Sequence, residues 1–208
     1  MPAVAFFCGA TAAQILGIPL PIALSSQSVL HVGIPFPQRA CRASGAIGHK
    51  LQIEEHDLGT SPGLRVTSVQ RTWCDLATLL DVEDLVAAGD HIIHHKHPLA
   101  SWEELRSSAE RHPSRRWRSR LFEACELLDD HADSPPESIV RVLTVRAGIR
   151  GLHANYPVQD ARGITFARGD LAFPAHRVIF EYQGDYHRTE RERWRKDRTR
   201  IARLAAAG

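Results

Sequence analysis

From Gly169 to Arg188 the chain alternates in a way that few folds accept. Two short runs, Gly169-Asp170-Leu171-Ala172-Phe173 and Val178-Ile179-Phe180-Glu181-Tyr182, flank a turn that begins at Pro174. Apolar, β-prone runs on either side of a Pro-containing turn signal a β-hairpin. A strand sends alternate side chains to opposite faces, so Glu181, Gln183, Asp185 and His187 share one face. The hairpin brings Asp170 of the first strand across to Glu181. Acids so placed repel unless a cation neutralises them, and Mg2+ is held by one or two carboxylates together with retained waters. The pattern predicts metal-assisted hydrolysis of a phosphodiester. An unpaired buried carboxylate in an otherwise apolar strand is costly, which singles out Glu181.

Asp170, ten intervening residues and then Glu181-Tyr-Gln183 resembles the Asp…Glu-x-Lys core of the PD-(D/E)XK nucleases, the restriction-endonuclease-like fold. The fuller run Glu181-Tyr-Gln-Gly-Asp185-Tyr-His187-Arg188 is similar to an uncharacterised bacterial domain family related to the very-short-patch-repair endonucleases. The likeness covers about Ser134 to Gly208 and includes Ser134-Pro-Pro-Glu137-Ser, Asn155-Tyr-Pro-Val158 and Trp194…Asp197. It implies an α/β (α+β) class, with a C-terminal mixed sheet flanked by helices. It also implies Mg2+ or Mn2+ held by Asp170 and Glu181, Glu137 adding a contact through water, and DNA as substrate. The lysine of the general motif is Gln183 here, and glutamine neither takes up a proton nor carries a charge. In the mismatch-repair relatives a histidine takes part, which makes His187 the substitute, with Gln183 orienting water or phosphate. Glu137 also has a plainer role open to it, as the third helical residue of a capping box begun by Ser134.

The net charge of +2 does not by itself argue for a nucleic-acid partner, but its distribution does. From Arg188 to Arg203 there are eight Arg or Lys against three acids, and Arg115-Arg116-Trp117-Arg118-Ser119-Arg120 is a second basic cluster. Such patches are candidate phosphate-contact surfaces. Directly after the hairpin, Arg188, Arg191, Arg195, Lys196 and Arg198 are the candidate DNA-backbone contacts. Arginine interleaved with acid is also an ordinary solvated helix face. Cys8, Cys41, Cys74 and Cys125 form no Cys-x-x-Cys pair, which leaves no zinc signature and fits a reducing cytoplasm. Glycines and prolines interrupt the apolar N-terminus, and no apolar run approaches a membrane span.

Local signals predict helices over 11–16, 68–80, 82–88, 101–111 and 115–128, and strands over 29–32, 47–53 and 64–67. Ser101-Trp-Glu-Glu104 is a capping box. The polar stretch Asp129 to Asp133 marks the boundary between an accessory α+β region, 1–130, and the endonuclease-like region, 131–208. Ser134 opens the next helix, with Ile139, Val142, Leu143 and Ala147 as its buried face and Gly148 as its stop. Tyr156 to Val158 begins the sheet. Thr189 caps a last helix, to Leu204, with Trp194, Ile201, Leu204 and Ala205 as its apolar stripe. The related domains continue with a further strand, so this reads as a shortened copy. His91-Ile-Ile-His94-His95-Lys96-His97 reads as a solvated helix end followed by a loop. The front half, Thr11-Ala-Ala…Gly17-Ile-Pro-Leu-Pro21 and Gly63-Leu-Arg-Val-Thr-Ser…Arg71-Thr-Trp-Cys-Asp75, is similar to regions preceding nuclease-like domains in actinobacterial proteins. Parts of it resemble abortive-infection type IV antitoxins without their winged helix. A non-catalytic regulatory or antitoxin-like protein, binding nucleic acid, a protein partner or a second copy, is therefore the alternative expectation.

Overall fold

The structure is a computed structural model and describes residues 4–40, 42–159 and 162–182. It is of the mixed α+β class, and the described residues fall into two compact units, one ending at Asp130 and the other beginning at His131.

The N-terminal unit is built on a five-stranded sheet in the order β3-β2-β1-β5-β4. Its strands are β1 (Phe6–Phe7), β2 (Leu30–Pro35), β3 (Ala46–Leu51), β4 (Leu58–Ser61) and β5 (Leu64–Thr67). Though only two residues long, β1 sits at the centre, antiparallel to β2 and parallel to β5, and so makes the sheet mixed. Phe6 is fully buried, and its ring lies over Gly33, where a Cβ would stand 2.2 Å from ring carbon Cε2. The ring takes the space that any side chain at position 33 would need. Gly33→Ala should therefore destabilise this unit by about 1–3 kcal/mol through overpacking. A lowered urea midpoint at unchanged slope is the expected record, and an unchanged midpoint would show that the ring moves freely.

Among the described residues six α-helices accompany this sheet: α1 (Gly9–Leu16), α2 (Ile22–Ser25), α3 (Val69–Leu76), α4 (Val82–Ile93), α5 (Trp102–Arg111) and α6 (Arg118–Leu127). Their ends follow the sequence. Gly17, at φ 73, turns the end of α1 into the left-handed conformation. Ser68 and Asp81 accept backbone N–H bonds at the starts of α3 and α4, and Ser101 with Glu104 forms the complete capping box of α5. The core gathers Trp73, Leu76, Leu85, Val86, Ile92, Leu105 and Leu121, and the indole N–H of Trp73 donates to the Leu85 carbonyl at 2.9 Å. Within this apolar surround lies one charged centre. Arg71, 3 % exposed, donates through Nε to Asp75 at 3.0 Å and through Nη1 to Asp57 and the Gln52 carbonyl, each at 2.9 Å.

The C-terminal unit places α7 (Pro135–Arg146) with a three-stranded sheet, β6-β7-β8, made of β6 (His153–Gln159), β7 (Thr165–Phe173) and β8 (Val178–Phe180). The described strands pair antiparallel throughout, so the mixed pairing expected here is found in the N-terminal sheet instead. The expected hairpin is β7-β8, turning through Pro174–His176 and Arg177, the latter at φ 54. The buried side of α7 differs from the expected one. Glu137, Ser138, Arg141 and Val142 are buried, whereas Leu143 is 52 % exposed and Ala147 is also exposed. The reason lies in what the helix meets, a polar row on the sheet.

Candidate functional site

That row follows from strand register. Leu171 pairs with Phe180, so one step along the hairpin sets Asp170 opposite Glu181. On the other side of β7, Ala154 pairs with Leu171 and Tyr156 with Gly169, which sets Asn155 opposite Asp170. Directly opposed residues point to the same face. Asp170 thus lies in sequence register between Asn155 and Glu181, neither of which is a paired residue of its ladder.

Asp170 ends the β7-β8 ladder. Its Oδ2 accepts the Tyr182 N–H at 2.7 Å, so a side chain takes the amide just beyond the last paired residues. The chain leaves the strand after Phe180, and Glu181 is exposed. The expectation of a buried Glu181 is corrected accordingly: its carboxylate is solvated because the segment carrying it has left the sheet. Tyr182 is 56 % exposed.

Asn155 adopts a left-handed conformation at φ 49, which asparagine tolerates better than other side-chain-bearing residues. It is buried and donates through Nδ2 to Asp133 Oδ2 at 2.9 Å. Asp133 immediately precedes Ser134, the N-cap of α7, and its own N–H donates to Glu137 Oε2 at 3.2 Å. The Ser134 hydroxyl donates to Glu137 Oε1. The expected capping box takes a different form, because the hydroxyl of Ser134 points to the carboxylate and makes no bond to a helix N–H. Both oxygens of Glu137 are engaged at the start of the helix.

Burial pushes the Glu137 carboxyl above its ordinary range, and the negative charges of Asp170 and Asp133 push the same way. The Ser134 hydroxyl and the Asp133 amide oppose the rise. Glu137 therefore feels Asp170 across the space between α7 and β7. Of the acid pair singled out in the sequence, Asp170 acts on the helix acid Glu137, while Glu181 follows the end of β8. Their donor atoms are not drawn together, however: the carboxylates of Glu137, Asp170 and Glu181 do not all lie within 4.8 Å of one another. The acid and histidine ligand atoms that do so among the described residues belong to the consecutive residues Asp129, Asp130 and His131, partly exposed side chains on one stretch of chain. The sequence reasoning missed Asn155 and Asp133 as members of the network. A lone asparagine amid strand-forming residues was the available signal, since it marks a place where the backbone turns left-handed.

Gln183 and His187, together with Arg188, Arg191, Arg195, Lys196 and Arg198, lie outside the described residues, as do Asp185 and the helix expected from Thr189. In the N-terminal unit a cleft of about 710 Å³ opens beside the starts of α3 and α5, lined by Ser68, Gln70, Glu103, Glu104 and Arg111 among others. It contains none of the predicted site residues. His91 to His97 form the end of α4 and the turn after it, as expected. No helix among the described residues is long and apolar enough to cross a membrane. No protein-family model matches the chain, and no curated protein matches it either.

Proposed function

We propose that the C-terminal unit is a metal-dependent endonuclease-like domain acting on the phosphodiester bonds of DNA. The observation that carries this reading is Asp170: it lies one step beyond the Leu171–Phe180 pair that Glu181 follows, and its charge acts on the buried Glu137 carboxyl. Three acids carried by one helix and one small hairpin, one of them destabilised in its charged form by a second, are a donor set that suits a hard divalent cation. Asp170 and Glu181 would hold Mg2+ or Mn2+, with Glu137 reaching it through water. The ion, when bound, lowers the pKa of a coordinated water and offsets charge on the phosphoryl oxygens. The chain's own contribution is placement. The Tyr182 amide fixes the Asp170 carboxylate, and the Ser134 hydroxyl and Asp133 amide fix that of Glu137. The succession of one helix and three antiparallel strands carrying these acids supports kinship with the restriction-endonuclease-like fold.

The second reading is a nucleic-acid-binding regulatory or antitoxin-like protein that keeps such a scaffold without catalysis. It is favoured by the full engagement of Glu137 in the helix start and by the separation of the three carboxylates. Mg2+ and Mn2+ binding to the wild type and to Asp170→Asn/Glu181→Gln, paired with cleavage of plasmid and mismatched duplex DNA, separates the two. Binding and cleavage lost together in the variant support the nuclease. Folded wild-type protein that binds neither ion favours the regulator.

A further inference from the structure

The basic cluster at 115–120 has no part in the acid row, and it divides into two kinds of arginine. Arg120 donates through Nη1 to the carbonyls of Ala77 and Leu80, at 2.8 and 2.7 Å, just past the end of α3. Arg118 donates through Nη2 to the carbonyls of Glu110 and His112, each at 3.3 Å, where α5 ends. Both cap helix ends and hold the start of α6 in place. Arg115 and Arg116 are exposed, and no carboxylate among the described residues pairs with either.

Trp117 joins the two kinds. The guanidinium of Arg116 stands 4.7 Å and that of Arg120 5.0 Å from its ring centroid, so the indole carries two cations. All four arginines precede or open α6, whose first turn contains no acid. A helix N-terminus is already the positive end of the backbone dipole, and natural helices place acids there. Here the backbone dipole and four guanidiniums add, in a chain whose 26 basic residues face 24 acidic ones. Arg115 and Arg116 have no carboxylate partner among the described residues, while Arg118 and Arg120 are anchored on helix ends. Polyanions supply that counter-charge from outside, and guanidinium groups match phosphate oxygens in a bidentate way.

We propose that Arg115 and Arg116, the latter stacked on Trp117 at the start of α6, form a contact surface for the phosphate backbone of nucleic acid in the N-terminal unit. Such contacts fix position on a duplex without reading its sequence. The surface is separate from the hairpin acids and operates whether or not the C-terminal unit cleaves.

The test uses the full chain and a fluorescent duplex of arbitrary sequence, titrated by anisotropy in EDTA at several salt concentrations. Each phosphate contact contributes about 0.9 to the slope of log affinity against log salt. Arg115→Ala/Arg116→Ala should weaken binding about five- to thirtyfold and reduce that slope by about two. Arg115→Lys/Arg116→Lys should restore the slope. Both substituted side chains are exposed, and an unaltered melting profile checks that the fold is kept. Wild-type affinity and slope in the Ala variant, or no duplex binding by the wild type, would overturn the proposal. So would binding to phosphatidylserine vesicles that depends on Arg115 and Arg116 while DNA binding does not, since the surface would then face a membrane.

Discussion

Arg71→Leu is expected to remove about 3–5 kcal/mol from the N-terminal unit, the cost of breaking a buried ion pair from one side. That is a large part of the roughly 5–15 kcal/mol that holds an ordinary domain together. The guanidinium reaches Asp75, Asp57 and the Gln52 carbonyl, and so ties α3 to the segment between β3 and β4. Without it, two carboxylates only 13–14 % exposed lose their cation. Asp75 is the more vulnerable, because its Oδ2 is already buried without a hydrogen bond and its Oδ1 would keep only His112 Nε2, at 3.1 Å, among its side-chain partners. Removing both charges should hurt less than removing one, so Arg71→Leu/Asp75→Leu should recover part of the loss in urea denaturation. An Arg71→Leu midpoint equal to that of the wild type would mean that the charged centre contributes nothing net.

That centre also shows where sequence reasoning stops. Arg71 sits in a helix whose hydrogen-bonding partners include Asp57 and Gln52, on segments well before it. Nothing local distinguishes it from a solvated arginine, since only the folded chain brings those groups together. The same holds for β1. Two phenylalanines carry no periodicity, yet pairing with β2 and β5 puts them at the centre of the sheet. What was legible was local. The capping box at Ser101, the stop at Gly17, the opening of α7 at Ser134 and the β7-β8 hairpin are each fixed by residues within a few positions of one another. Helix α7 lies between these cases. Its extent could be read from caps and breakers, but its inward side could not, because hydrophobic spacing assumes an apolar neighbour. Here Glu137 of the helix feels the charge of Asp170, Asn155 bonds to Asp133 just before the helix, and Glu137, Ser138 and Arg141 are buried. In the candidate site, strand periodicity gave the β7-β8 hairpin that carries Asp170, while the bonds from Asn155 to Asp133 and from Asp133 to Glu137 are products of folding.

If the C-terminal unit cleaves DNA as proposed, Asp170→Asn/Glu181→Gln should lower metal-dependent cleavage by about 10²- to 10⁴-fold, because the metal contribution at such sites is worth several kcal/mol and each 1.36 kcal/mol is about tenfold in rate. Loss of rate alone would leave the role of Glu137 open between ligand and helix cap, and protons decide between them. Burial and the Asp170 charge hold Glu137 protonated to higher pH in the fold than in the unfolded chain. The native state therefore binds the extra proton between the ordinary carboxylate value and the raised one, and stability increases as pH falls through that window. Glu137→Gln should abolish this increase, whichever role is correct. The ligand role adds a second consequence. A cation that uses the Glu137 carboxylate must expel its proton, so Mg2+ or Mn2+ affinity should fall as pH drops through the same window, with proton release on binding. Titration calorimetry in two buffers of different ionisation enthalpy measures that release directly. Proton release that disappears in Glu137→Gln places the helix acid among the metal contacts. Metal affinity independent of pH, and unchanged in Glu137→Gln, would leave Glu137 as the cap of α7 and confine the metal to Asp170 and Glu181.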